Sequence, residues 1–189
     1  MKQALCHLRS ISPYSQSKGF TPDMPKPERG KADEYDKTHW RKKCHATKDG
    51  KIFIPPMAFK MGLDAAAKLK GQRVPGKGQA TYTKRFLSGV LVLDGLTLPI
   101  HVDDVEHDDL FVNADGVRGS GKRVWKRFPR IDEWEGEVCF HIMSDEIPEE
   151  VFESTLDAAG KFVGIGRFRP ESGGFYGRYE VVSVDWQDE

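Results

Sequence analysis

Two stretches of this chain gather residue types that can hold a polyanion. In Val117–Arg130 (VRGSGKRVWKRFPR), the cations Arg118, Lys122, Arg123, Lys126, Arg127 and Arg130 surround a Gly-Ser-Gly turn, with Trp125 and Phe128 between them. As a hairpin, its two-residue period puts Arg123, Trp125 and Arg127 on one side and Lys122, Val124, Lys126 and Phe128 on the other. Cations spaced along a ribbon can follow successive phosphates, and a ring among them can stack on a base. The alternative is a solvated hairpin whose Trp125 packs on the core.

The second stretch is Gly164–Arg178 (GIGRFRPESGGFYGR). Gly164, Gly166, Gly173, Gly174 and Gly177, preceded by Gly160, alternate with Arg167, Phe168, Arg169, Phe175, Tyr176 and Arg178. Glycine permits positive φ and close backbone approach, so this density beside strands predicts a tight, shaped loop. Its arginines and rings can grip a phosphate backbone and stack a base. A glycine-rich hairpin without a ligand is the alternative. Lys84 and Arg85 complete the candidate nucleic-acid contacts.

Catalytic and metal patterns are weak. His101–Asp109 (HVDDVEHDD) collects two histidines and five carboxylates at a spacing that matches no zinc or EF-hand pattern. His39, Cys44 and His45 are candidate zinc ligands without a CxxC partner, and lone buried side chains explain them as well. No GxSxG and no P-loop is present, since GKGQATYTK lacks the required ending. The expectation is a non-catalytic protein without cofactor or metal.

The elements that must position these stretches are legible from periodicity. Gly136–Ser144 alternates as a half-buried strand through Val138, Phe140 and Ile142. A helix follows, with Pro148 in its first turn, an apolar face of Val151, Phe152, Leu156 and Ala159, and Gly160 as its end. Strands are expected at Phe162–Ile165 and Tyr179–Trp186, on either side of the glycine-rich loop. Earlier, Lys2–Ile11 reads as a first strand, and residues 20–51 as an insertion or arm holding a short helix within Tyr35–His45. Lys51–Pro55 is extended, and a helix runs from Pro56 to Leu69 with Phe59, Leu63 and Ala66 in one stripe. Strands are then expected at Ala80–Phe86, Gly89–Asp94 and Leu96–Val102, and a thumb-like insertion at residues 103–134. The predicted architecture is α+β, a single domain over residues 1–189. Its core is ferredoxin-like (RRM-like), β-α-β-β-α-β, with an N-terminal insertion and a protruding basic β-hairpin.

This arrangement resembles the RAMP superfamily, the RNA-binding subunits of CRISPR effector complexes. Gly174-Phe175-Tyr176-Gly177-Arg178 is similar to the Gly-aromatic-Gly-Arg element that precedes the last strand in that family. IPPMAFKMGLDAAAK is similar to the family's first helix, although Pro56-Met57-Ala58 replaces the usual Gly-Ser-Ser. The resemblance implies RNA binding of the backbone-subunit type, a thumb hairpin at residues 103–134, and effector-complex partners.

At 189 residues with 38% hydrophobic side chains, the chain can build one substantial core. Three widely spaced cysteines argue for a reducing, cytoplasmic setting, and no signal-peptide pattern or bilayer-length apolar run occurs. The net charge of zero conceals an asymmetry: Met1–Arg85 holds 19 Lys and Arg against 7 Asp and Glu, and Phe86–Glu189 holds 10 against 22. Such a dipole predicts head-to-tail self-association, unless folding interleaves the halves and cancels it. The expected function is therefore non-catalytic binding of RNA or single-stranded DNA. A second expectation, of another class, is a phage-encoded interaction module or inhibitor that imitates an effector subunit.

Overall fold

The structure, a computed structural model, describes residues 1–19, 31–114, 119 and 121–188. Val117 and Arg118 of the basic stretch, and residues 20–30 of the expected arm, lie outside them. In chain order the elements are β1 (Lys2–Ser10), β2 (Tyr14–Ser15), α1 (Ala32–His39), β3 (Lys51–Ile54), α2 (Pro56–Lys70), α3 (Thr83–Gly89) and β4 (Val90–Leu91). They continue with β5 (Leu96–His101), β6 (Glu106–Asn113), β7 (Arg123–Ile131), β8 (Glu135–Ile142), α4 (Glu149–Ala158) and β9 (Tyr179–Asp188). The fold class is α+β, with every strand pair antiparallel.

The main sheet has the order β4-β8-β1-β9. Strand alternation puts Ala4, Cys6 and Leu8 of β1 and Val138, Phe140 and Ile142 of β8 on one face, all buried. Helices α2 and α4 cover that face. Pro56 opens α2, where its missing N–H leaves nothing unpaired, and Phe59, Leu63 and Ala66 recur at helical spacing, fully buried. Phe152 of α4 meets Phe140 and Trp186 at 5.4 Å each, and Phe59 of α2 meets Trp134 at 6.1 Å and Tyr179 at 6.4 Å. Each such ring contributes about 1.5–3 kcal/mol by burial. Two smaller sheets, β2-β7-β6 and β3-β5, flank the main one.

Five expectations need correction. The strand expected at Ala80–Phe86 is a turn followed by the helix α3. Tyr82 and Phe86, four residues apart, both turn inward while Lys84 between them is exposed, which fits a helix, since a strand would put all three on one face. The ammonium of Lys60 donates to the carbonyls of Phe86 (3.2 Å) and Leu87 (3.3 Å) near the end of α3, and Asp64 holds it at 2.5 Å. The strand expected at Gly89–Asp94 is confined to the two residues of β4.

The strand expected at Phe162–Ile165 is instead a π-helical turn, Ala159–Val163, that prolongs α4. Gly160 is not its terminator. A Cβ there would run into the backbone carbonyl of Tyr179, so this glycine serves close packing of the helix against β9. The turn ends at Gly164, whose φ of 72° only glycine adopts freely. Lastly, the short helix within Tyr35–His45 begins earlier and ends at His39, followed by a 3₁₀ turn over Trp40–Lys43. Among the described residues, no helix is long and apolar enough to cross a membrane.

Candidate nucleic-acid interface

The basic stretch forms β7, the second strand of a hairpin with β6. The register pairs Phe111 with Trp125, Asp109 with Arg127 and Asn113 with Arg123 on one face, and Leu110 with Lys126, Val112 with Val124 and Asp108 with Phe128 on the other. Trp125 is 53% exposed and stands against Phe111 at 5.4 Å. It is not a core residue. Arg123 donates to the carbonyl of Phe111 and lies 4.7 Å over its ring.

Two buried connections hold the hairpin in place. Asp36 of α1 accepts from Lys43 Nζ at 2.5 Å and from the backbone N–H of Arg127 at 2.6 Å, and Lys43 also donates to the carbonyl of Arg127. Burial pushes the Lys43 ammonium below its ordinary value, with Asp36 opposing the shift. At the hairpin base, the Tyr176 hydroxyl donates to Asp108 at 2.8 Å, and Arg130 binds Asp108 (2.7 Å) and Asp132 (2.8 Å). Sequence reading expected Tyr176 and Arg130 as ligand contacts; here they fasten the loop to the hairpin.

Between the hairpin and the glycine-rich loop lies a groove of about 930 Å³. Leu110, Val112, Val124, Lys126 and Phe128 form one wall, Arg167, Phe168, Gly173 and Gly174 the other, and Ser17–Gly19 with Tyr35, Asp36 and Lys43 complete it. Lys122 and Arg123 stand at its rim. Among the described residues the groove thus faces six cations, Lys18, Lys43, Lys122, Arg123, Lys126 and Arg167, and one acid, Asp36, which is only 6% exposed and bonded through both oxygens. The side chains of Lys18 and Lys122 have no partner among the described residues.

Arg167 carries the sharpest feature of the groove. Its guanidinium stacks 3.5 Å over the Phe128 ring and 5.1 Å from that of Phe168. Its Nε is buried without a hydrogen-bond partner, and burial pushes its pKa down to about 10. The next residue, Phe168, has φ of 52°, the one positive value outside glycine among the described residues. Its carbonyl accepts from the N–H of Tyr176 at 2.9 Å and lies where a Cβ on Gly174 would have to sit.

A second cavity, of about 360 Å³, opens across β7, lined by Asp36, Lys37, Asp109, Trp125, Lys126 and Arg127. Asp36 and Lys126 border both spaces. Sequence reading missed Lys18, Lys37 and Lys43. Lys37 and Lys43 belong to the basic YDKTHWRKKCH run, whereas nothing around Lys18 marks it.

The other expected contacts lie elsewhere. Lys84 and Arg85 sit on α3, with Arg85 bonded to Glu146 at 2.8 Å. Arg169 pairs with Glu171, and Arg178 donates to the carbonyls of Lys161 and Phe175. Phe175 is exposed beside Tyr176, and Gly164, Gly166 and Gly177 shape the loop behind the groove. Asp108 and Asp109 of the acidic stretch serve hairpin arginines, and His107 packs at a tilt against Trp40. His39 stacks on Tyr35, His45 packs at a tilt against Phe53, and Cys44 is buried, its thiol pushed up to about 12. No group of three metal-ligating side chains occurs among the described residues.

The outer face of the main sheet offers no comparable surface. Its register brings Gln3, Leu5 and His7 level with His141, Cys139 and Glu137 on one side, and with Gln187, Asp185 and Ser183 on the other. Among the described residues just named it carries the carboxylates Glu137 and Asp185, and its rings are the imidazoles of His7 and His141. The sequence asymmetry of charge is also partly undone by folding. Lys2–Glu149, His7–Glu135, Arg9–Glu180, Lys77–Glu146 and Arg85–Glu146 all pair the basic half with the acidic one.

No family model and no curated protein sequence matches this chain. Solved structures are similar to it, among them the following three. A crystal structure of Cmr6 from Pyrococcus furiosus aligns over 96% of this chain and 99% of its own, at 14% identity and a TM-score of 0.47. A chain in a cryo-EM structure of the Type III-B Cmr-beta complex bound to cognate target RNA aligns over 98% of this chain and 60% of its own, at 10% identity and a TM-score of 0.48. A chain of a CRISPR RNA-guided surveillance complex aligns over 82% of this chain and 58% of its own, at 8% identity and a TM-score of 0.33.

Proposed function

We propose that this protein is a RAMP-like, non-catalytic binder of single-stranded nucleic acid, RNA or DNA. It holds the strand by its phosphates in the groove between the β6–β7 hairpin and the glycine-rich loop. The observation that carries the proposal is the groove itself: among the described residues six cations face one shielded carboxylate, and one cation, Arg167, lies half-buried on a ring with its Nε unpartnered. A half-buried guanidinium with an unpaired N–H is a preformed seat for a phosphate oxygen.

The connectivity supports the finer fold reading. Taken as β1, α2, β4, β8, α4 and β9, the core is a β-α-β-β-α-β unit with the antiparallel order expected of a ferredoxin-like sheet. The β6–β7 hairpin is then the thumb-like insertion. Charge interleaving removes much of the case for head-to-tail assembly from sequence asymmetry alone.

The test is fluorescence anisotropy of labelled uridine and thymidine decamers across a salt series, on the wild type and on a Lys122→Gln/Lys126→Gln double variant. Binding that weakens steeply with salt, and less steeply in the variant, is expected. Absence of binding at low salt sinks the reading and favours the interaction-module alternative.

A further inference from the structure

We infer that the cavity at Trp125 is a nucleobase pocket that selects guanine by its Watson–Crick edge. The inference deepens the proposed function and rests on that reading for its place in a bound strand. The cavity of about 360 Å³ lies across β7 from the phosphate groove, and Asp36 and Lys126 line both. A strand lying in the groove is therefore one side chain away from a pocket that can take a single splayed base.

Stacking comes from Trp125, half exposed and steadied by Phe111 behind it. An indole in a concave, partly apolar setting is a sequence-tolerant platform for any base. Selection comes from the polar groups around it. Asp36 cannot supply it, since it is only 6% exposed and is held by Lys43 and by the backbone N–H of Arg127.

Asp109 can. Arg127 forks to its carboxylate at 2.8 and 3.4 Å, which leaves each oxygen a further lone pair and the longer arm readily exchanged. Lys37, on the α1 side of the cavity, has no partner among the described residues. The cavity lining thus includes two acceptor oxygens and an ammonium without a partner among the described residues.

Guanine presents the complement on one edge, with N1–H and the N2 amine as adjacent donors and O6 as the neighbouring acceptor. Uracil offers one donor between two acceptors, and adenine and cytosine one amine beside an acceptor. Those bases fill fewer of these groups at once, so each gains less than guanine does. Guanine is the base that satisfies both.

The probes are the free mononucleotides GMP, IMP, AMP and UMP, followed by tryptophan fluorescence on the full chain. Trp125→Phe identifies the responding indole. Inosine monophosphate keeps O6 and N1–H but lacks the N2 amine, so GMP should bind about tenfold tighter than IMP. Asp109→Asn should erase that ratio, whereas Lys37→Met should weaken GMP and IMP alike, because both keep O6. Thermal unfolding of each variant guards against loss of fold. If Asp109→Asn does not fold, the GMP/IMP ratio on the wild type still decides.

Equal binding of GMP and IMP, no saturable quenching by either, or a ratio that survives Asp109→Asn overturns the inference. A uridine decamer reads the groove separately. Salt-sensitive decamer binding without guanine preference removes the pocket and leaves the groove. A GMP preference without decamer binding keeps the pocket as a guanine site and removes the groove.

Discussion

The guanidinium of Arg167 lies 3.5 Å over the ring of Phe128, and no carboxylate among the described residues is bonded to it. Phe128 is itself 3% exposed, and Lys43 stands over the same ring at 4.3 Å. Two cations thus share one ring, and only Lys43 has an acid, Asp36. The molecule accepts an electrostatic cost at this point, and a bound anion would relieve it.

That cost makes Arg167→Met informative. A thioether of similar length keeps the packing on Phe128 and removes a buried, incompletely paired charge, a change that is often neutral or stabilising. The expected result is thermal stability unchanged or raised by about 1 kcal/mol, together with a tenfold to hundredfold loss of oligonucleotide affinity. Thermal unfolding and anisotropy on one preparation check both. A destabilised variant that binds normally would show that Arg167 is structural.

The exposed cations of the groove should behave differently from Arg167. Lys18→Gln and Lys122→Gln should each weaken binding of all sequences to a similar degree. Each should reduce the slope of log affinity against log salt by roughly 0.7, the share of one phosphate contact on a single strand. Stability should hold within about 0.5 kcal/mol, since neither side chain has a partner among the described residues. An unchanged slope in both variants would place the strand elsewhere.

Phe168 tests the backbone of the loop. Its φ of 52° is unfavourable for any side chain, yet its ring packs edge-on against Phe128 at 6.3 Å and Tyr176 at 6.1 Å. Phe168→Ala and Phe168→Gly lose the same ring contacts, but only glycine is released from the strain. The glycine variant should therefore be the more stable by about 1 kcal/mol, inverting the usual order of the two residues. Equal stabilities on chemical denaturation would mean that the loop relaxes once the ring is gone.

The elements most legible in the sequence were those whose periodicity coincides with burial. Phe59, Leu63 and Ala66 marked α2, and Val138, Phe140 and Ile142 marked β8, because side-chain spacing alone decides which face is covered. Tyr82 and Phe86 misled because a short helix and a short strand share an apolar spacing over so few residues. Gly160 misled because a glycine required by a neighbouring carbonyl looks, in one dimension, like a helix terminator. Trp125, Lys126 and Arg167 could be picked out as chemistry-bearing residues. Their division between two cavities could not, since it depends on α1, held to β7 through Asp36 and Lys43 across 84 residues of chain.

Arg85 shows where cation counting and structure part company, and pH separates the two. The sequence groups Arg85 with the nucleic-acid contacts, whereas the structure binds it to Glu146 at 2.8 Å, with Lys77 at 3.6 Å from the same carboxylate. The hydrogen bond and charge of Arg85 hold the Glu146 carboxyl below its ordinary 4.5. A carboxyl depressed in the folded state stabilises the fold above its unfolded value, and that contribution is lost as pH falls through the lower folded value. Replacing Arg85 with Gln should therefore cost stability at neutral pH and little or none at the acid end, so the acid limb of the stability profile becomes shallower below about pH 5. Glu146 is a surface group, so the change is small. Oligonucleotide affinity and its salt slope should match the wild type, because α3 does not border the groove. Denaturation midpoints between pH 3 and pH 7, set beside anisotropy at neutral pH, measure both. A reduced salt slope with an unaltered acid limb would return Arg85 to the binding surface and extend the strand's path beyond the hairpin and the glycine-rich loop.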